Sequence, residues 1–349
     1  VAFLEEYGLP DLVDIARAIQ EHSERAMRDA IRALPDGDYE HEVWADGLDE
    51  PVRLRCRVTV RGDEITVDYT GSDPERPRGG INCTLTYTKA HTVYPLKCLL
   101  SPTVPANEGT FRPFTISAPE GSILNCRVPA SVGSRVRTGW HLHSLLFGAL
   151  ERALPDRVQA GNGLMNSVHV YGQEPNGRFY NAHFFIAGGR GASRGRDGIG
   201  RNCFPSSARN VPVEVFEART PVLIHTRELR EDSAGRGQWR GAFGHRLEMG
   251  VLPGYPAPVS FFIDPDRLHF PPRGLSGGED GPLTEVLVNG RRLTPEEIGG
   301  GQITLSGPDE RLVLHIPGGG GYGPPDQRDP SLIEADIRSG LVTPEYART

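Results

Sequence analysis

Apolar residues recur with helical spacing near the start of the chain, at Leu12, Ile15, Ala16 and Ile19 and again at Met27, Ala30, Ile31 and Leu34. Glu, Arg and His occupy the opposite face, so the pattern predicts an amphipathic helix over residues 11–34, stopped by Pro35-Asp36-Gly37. A shorter helical stretch opens the chain over residues 1–7. The period then changes to two. Val52, Leu54, Cys56, Val58 and Val60 alternate with Arg53, Arg55, Arg57 and Thr59, and Gly62-Asp63 turns the chain into Ile65–Tyr69, predicting a hairpin. Residues 84–100 return to helical spacing, with Pro95 marking a kink or break. Phe114–Ala118 reads as a strand and Trp140–Leu154 as a second buried helix. Beyond Leu164 the pattern is one of short strands: Val168–Tyr171 and Phe179–Ile186 as a pair, then Val213–Phe216, Val222–Arg227, Val259–Ile263, Glu285–Val288 and Arg311–Ile316. A helix over Ser331–Arg338 closes the chain.

Helices gather in the first half and strands in the second, which makes the fold class α+β rather than a regular βαβ alternation. The expected division is an α+β segment over residues 1–160 and a β-rich segment over 161–349. Gly (43) and Pro (30) make up about a fifth of the 349 residues without a collagen-like period, consistent with many turns. The net charge of −7 and the 7% aromatic content disfavour a nucleic-acid partner. No apolar run approaches the ~18 residues of a membrane span. Five cysteines without a Cys-x-x-Cys pair suggest neither a disulfide framework nor a zinc ribbon, and reduced thiols point to the cytoplasm.

Candidate chemistry is thinly spread. Residues 188–198 hold five glycines and three arginines directly after a strand, a composition that permits close backbone approach and suits a carboxylate or phosphate; Arg194 and Asp197 are the candidates there. Gly318–Gly323 contains G-x-G-x-x-G, but Pro324-Pro325 follows instead of a helix, so a dinucleotide site is not expected. His141 and His143 diverge by about 200° on a helix and cannot share one ion. Asn166, His169 and His183, on the predicted strand pair, are expected to share a polar pocket. Arg135, Arg137 and Thr138 precede the second buried helix, where positive charge opposes the helix dipole, so they are expected to face an anion. The residues by themselves assign no catalytic group.

The order of motifs resembles the hydantoinase B/oxoprolinase family. The matching stretches are Asp68-Tyr69-Thr70-Gly71-Ser72, Arg78-Gly79-Gly80-Ile81-Asn82, Pro105-Ala106-Asn107-Glu108-Gly109 and Ala118–Asn125. The Gly-Arg loop 188–198, Phe204-Pro205-Ser206, Asn210-Val211-Pro212-Val213-Glu214, Trp239-Arg240-Gly241 and Gly318–Gly323 continue the series. The resemblance implies a subunit or fragment of an ATP-dependent cyclic-amide hydrolase, with ATP bound by a hydantoinase A-like partner subunit. Its alternatives are an ATP-dependent ketone carboxylase subunit and a non-catalytic scaffold. It further implies a small-molecule substrate and a divalent metal whose ligands lie in an N-terminal part of the hydantoinase B polypeptide that precedes this chain, leaving no metal ligands here. On that basis the chain is expected to be a truncated, matured or split-gene product. Arg137, Thr138, Asn166, His169, His183, Arg194 and Asp197 are the expected substrate-binding residues. The segment 133–139 departs from the Asn- and Gln-containing sequence of many relatives, so substrate choice does not carry over.

Overall fold

A computed structural model describes residues 2–200, 203–208, 211–256, 258–298 and 301–348, and the chain divides into two compact units. The first comprises Val1–Val43 and Arg53–Pro155, the second Trp44–Val52 and Asp156–Thr349. Asn210 of the Asn210–Glu214 motif and Val1 of the opening helix lie outside the described residues.

In the first half the elements are α1 (Ala2–Tyr7), α2 (Val13–Arg32), β1 (Gly37–Ala45), β2 (Val52–Arg61), β3 (Glu64–Asp68), α3 (Leu85–Leu100), α4 (Glu108–Phe111), β4 (Phe114–Ser117), α5 (Val136–Gly139) and α6 (Leu142–Leu150). The strands form one sheet in the order β1-β2-β3-β4, with β2 and β3 antiparallel and β4 parallel to β3. Alternation on β2 and β3 buries Leu54, Cys56, Val58, Val60, Ile65 and Val67. The buried Met27 and Ile31 of α2 and Leu142, Leu145, Leu146 and Leu150 of α6 add to the apolar interior. Helix α3 runs through Pro95 without a break. Proline removes the amide bond to residue 91, but Val93, Leu96, Leu99 and Leu100 are buried around it, and that burial outweighs one lost hydrogen bond.

Two family motifs here do architectural work. Asn107 caps α4 in a capping box with Thr110 and donates from Nδ2 to Ser23 Oγ of α2 at 2.8 Å. A Cβ on Gly109 would stand 1.9 Å from the carbonyl oxygen of Gln20, so glycine is what lets α4 meet α2. The Asn82 side chain bonds both the amide and the carbonyl of Arg76 and reaches Ser131 O, tying three loop segments together.

In the second half follow β5 (Met165–Gln173), β6 (Phe179–Ala187), α7 (Val213–Glu217), β7 (Val222–Leu229), β8 (His245–Val251), β9 (Val259–Asp264), β10 (Glu285–Val288), β11 (Arg291–Arg292), α8 (Pro295–Ile298), β12 (Gln302–Leu305), β13 (Leu312–Ile316) and α9 (Pro330–Arg338). They build a four-stranded sheet, β12-β9-β5-β6, and a five-stranded sheet, β11-β10-β13-β8-β7. Val168, Val170, Phe184 and Phe261 of the first pack into one cluster with Leu247, Met249, Leu312 and Leu314 of the second. The segment 213–216, expected as a strand, is helical. Val-Glu-Val-Phe fits one helical turn as well as a strand, and Pro212 at the N-cap with Glu214 in the first turn decides for the helix. Its buried side chain, Phe216, meets Phe184 edge to face at 5.0 Å between centroids.

Candidate functional site

The glycine-rich stretches of the second unit converge on one another. Successive amides of Gly318, Gly319, Gly320, Gly321 and Tyr322 donate to the carbonyls of Ser233, Ala242, Gly161, Glu279 and Trp239, at 2.8–3.0 Å. Returning bonds run from Gly189 N to Pro317 O, Ala192 N to Gly320 O and Leu275 N to Gly321 O. The result is a glycine seam in which the 317–323 segment is surrounded by four others, drawn from 160–163, 188–198, 233–244 and 272–281. A Cβ would fall 2.0 Å from Ser233 O at Gly318, 2.0 Å from Arg190 O at Gly319, 2.3 Å from Arg273 O at Gly320 and 1.9 Å from Arg236 O at Gly321. The close backbone approach expected of the 188–198 loop is therefore made to other chain segments. The G-x-G-x-x-G amides are consumed by internal carbonyls and leave no cradle for phosphate.

Beside the seam, Asp197 joins a chain of ion pairs. Its two oxygens accept from Arg328 Nη1 and Nη2 at 2.8 and 2.9 Å, and Oδ1 also takes the Arg240 amide. Arg328 continues to Asp336 at 2.9 Å, and Asp336 receives both Nε and Nη2 of Arg240 at 2.8 Å. This latch fastens α9 to the seam. None of Arg240, Arg328 and Asp336 is among the substrate-binding residues expected from sequence. They line a cleft of about 430 Å³ together with Arg236, Ile333 and Tyr346, a size ordinary for small-molecule sites. Arg236 is held by Glu279 at 2.7 Å, so the guanidinium groups that border the cleft are largely charge-matched by the protein itself. Arg194 stands apart, exposed and paired with Asp156 at 3.0 Å.

The pocket expected from Asn166, His169 and His183 does not form. Residues 166 and 169 differ by an odd number along β5 and point to opposite faces. Asn166 is fully buried on the side of Val168 and Val170, where its Oδ1 accepts the Asp266 amide at 3.2 Å. His169 and His183 do meet, paired directly across β5 and β6 on the other face, with ring centroids 6.0 Å apart.

Arg137 and Thr138 belong to the first unit and sit in α5, half-buried and buried respectively. Next to them, the Arg135 guanidinium lies 5.2 Å from the Tyr87 ring centroid, and Tyr87 packs on His91 at 4.3 Å. Gly139 makes room for this group, since a Cβ there would be 2.3 Å from the Tyr87 ring. Burial, and then the charge of Arg135, push the His91 imidazole down to about 4. A depressed imidazole brings stability that is complete above its ordinary value near 6.5 and lost as pH falls toward 4. Denaturant unfolding at pH 7 and 5 is expected to show a fall in stability of the first unit that His91→Gln reduces; an identical fall in the variant would refute the assignment. His141, the N-cap residue of α6, and His143, in its first turn, are both buried. Among the described residues no three His, Cys, Asp or Glu side chains converge as a metal site, so the residues present do not fit a closed metal centre. No described helix is long and apolar enough to cross a membrane.

A profile described as hydantoinase B/oxoprolinase matches residues 1–325. The B component of a putative D-/L-hydantoinase from Pseudomonas sp. (strain NS671) is 32% identical, over 99% of this chain and 60% of its own length. 5-Oxoprolinase 1 of Arabidopsis thaliana is 29% identical over 92% of this chain and 25% of its own. Among solved structures, the ATP-dependent caprolactamase from Pseudomonas jessenii superposes with a TM-score of 0.84 and 27% identity, covering 99% of this chain and 62% of that one. The chain thus spans about three fifths of the hydantoinase component and of the caprolactamase chain.

Proposed function

The chain belongs to the hydantoinase B/oxoprolinase family, and from that premise we propose that it is part of an ATP-dependent hydrolase of cyclic amides, working with a partner polypeptide that binds ATP. The observation that carries this reading is likeness along nearly the whole chain to a hydantoinase component and a caprolactamase, whose names share a ring amide as target. In such chemistry ATP phosphorylates the amide oxygen. Water then adds at the ring carbon and the C–N bond opens to leave an acyl phosphate on the ring-opened amine, which a second water hydrolyses to the carboxylate and free phosphate. The divalent metal that the resemblance implies would have its ligands outside this chain, and no step is assigned to it.

Within the chain, the α5 turn is the place where we put contact with the anionic substrate or phosphorylated intermediate. Arg137 and Thr138 follow Arg135 in that turn, and Arg135 stacks on Tyr87, which packs on the neutral His91. Asn166 and Asp197 are committed to internal bonds and serve the fold instead. The test is ADP release by the whole complex, assayed with hydantoin, 5-oxoproline and caprolactam, with and without bicarbonate. Ring-opened acid formed in step with ADP, without bicarbonate, is the expected result. Loss of one charge-assisted bond in Arg137→Ala is expected to reduce kcat/KM about 10–100-fold. ADP release that requires a ketone and bicarbonate would replace the reading with a carboxylase. No ADP release with any of these substrates would leave a scaffold.

A further inference from the structure

The His169–His183 pair has the geometry of a small metal site independent of the hydrolase reading. The two residues are register partners on antiparallel strands, so both side chains leave the same face of the sheet next to each other. A divalent metal about 2.0–2.1 Å from a ring nitrogen sits about 3.2 Å from that ring's centroid, so two imidazoles on one ion lie at most ~6.4 Å apart. The observed 6.0 Å falls within that limit, with the rings nearly perpendicular at 85°.

His169 is also set up on its far side. Its Nε2 bonds Asn181 Oδ1 at 2.5 Å, and an amide oxygen can only accept, so Nε2 carries the proton and Nδ1 keeps its lone pair. A ligating imidazole whose second nitrogen donates to an oxygen is the arrangement that fixes tautomer and ring orientation in metal sites. Tyr171 packs on His169 at 5.4 Å and stacks on Phe262 at 4.4 Å, which confines the His169 ring further. His183 is exposed on the same face, so the pair is open to a metal from solvent.

We propose that His169 and His183 form an open, two-histidine surface site for a divalent transition metal of the Zn2+, Ni2+ or Cu2+ class, with Asn181 as the positioning residue and water in the remaining coordination positions. The site is chosen by nitrogen ligands, so Cu2+ binds most tightly and Mg2+ not at all.

Calorimetric titration of the intact chain with Ni2+, Cu2+, Zn2+ and Mg2+ at pH 7.5 tests this. One equivalent of each transition metal is expected, and none of Mg2+. His169→Asn and His183→Asn should each weaken binding at least tenfold, and Asn181→Ala about 10–100-fold with both ligands still present. His22→Asn is the control and should change nothing. Circular dichroism checks that each variant is folded, and nitrogen hyperfine couplings from two imidazoles are expected in the Cu2+ electron paramagnetic resonance spectrum. No one-equivalent binding by the unaltered chain, or binding retained in either histidine variant, would overturn the proposal.

Discussion

Adding one methyl group at Gly319 is expected to unfold the second unit. The new Cβ would stand 2.0 Å from Arg190 O, 2.2 Å from Arg190 C and 2.5 Å from Gly191 N, all backbone atoms. A side chain can rotate away from such a clash. A backbone that is itself hydrogen-bonded on both flanks cannot, and here Ala242 N already donates to Arg190 O at 2.8 Å. Relief would require separating the 188–192 segment from 317–323, which breaks the bonds from Gly189 to Pro317 and from Ala192 to Gly320. The cost exceeds about 4 kcal/mol, the range reserved for severe core damage. Gly307→Ala is the matched control, because nothing lies within 4 Å of its Cβ position and its φ is not positive; its effect should stay within about 0.5 kcal/mol. Denaturant midpoints of the two variants decide the matter. A Gly319→Ala protein with an unchanged midpoint would mean that the seam is loose.

The second large effect is expected at Asp197, in stability before turnover. Asp197→Ala leaves the Arg328 side chain, only 8% exposed, with one carboxylate in place of two and takes the acceptor from the Arg240 amide. Removing one partner of a buried pair costs about 3–5 kcal/mol because the remaining charge stays desolvated. Arg194→Ala, in the same loop, breaks an exposed pair with Asp156 and is expected to cost at most ~1 kcal/mol. The contrast separates a latch from a ligand-binding loop: equal, small losses of stability in both variants would remove the latch. Acid should act as the first substitution does. Burial pushes the Asp336 carboxyl up, but the hydrogen bonds and charges of Arg240 and Arg328 outweigh it and hold it below the usual range. The stability it brings is present above the ordinary carboxylate value near 4 and disappears as pH falls through its own lower one. A thermal midpoint that does not fall between pH 5 and pH 3 would contradict this.

What could be read from the chain alone follows the strength of the local signal. The β2–β3 hairpin was legible because strict alternation met good turn residues, and the β5–β6 pair because two β-favouring apolar runs flank the turn residues Pro175-Asn176-Gly177. Strands β8 and β12 were not, since His245, Arg246 and Glu248 dilute the first and the second has only Ile303 and Leu305 as apolar residues. In Val213–Phe216 the alternation misled, because four residues cannot distinguish the two periods and the deciding group was Pro212. The candidate site was less visible. Glycine density marked the seam correctly as a place of close approach, but composition does not say what approaches. Asp197 was expected to bind substrate; the residues it bonds, Arg240 and Arg328, and Asp336 beyond them come from segments 43 to 139 residues away and are joined to it only by the fold. Strand parity alone would have separated Asn166 from His169.

The seam also has a consequence for how the second unit folds. Its bonds join Gly161 to Gly320, Arg190 to Ala242 and Ser233 to Gly318, partners far apart in sequence. Each closes a long loop, and glycine surrenders more chain freedom than any other residue when it is fixed. Little is recovered until several segments are in place together, because a glycine segment has no side chains with which to hold a partial assembly. The two sheets can condense on their apolar cluster first, while the seam closes last and all at once. Folding of this unit is then slow for its size, with a rate limited by topology. In unfolding the same cooperativity works the other way: the seam does not fray, and its amides exchange with solvent only when the whole unit opens.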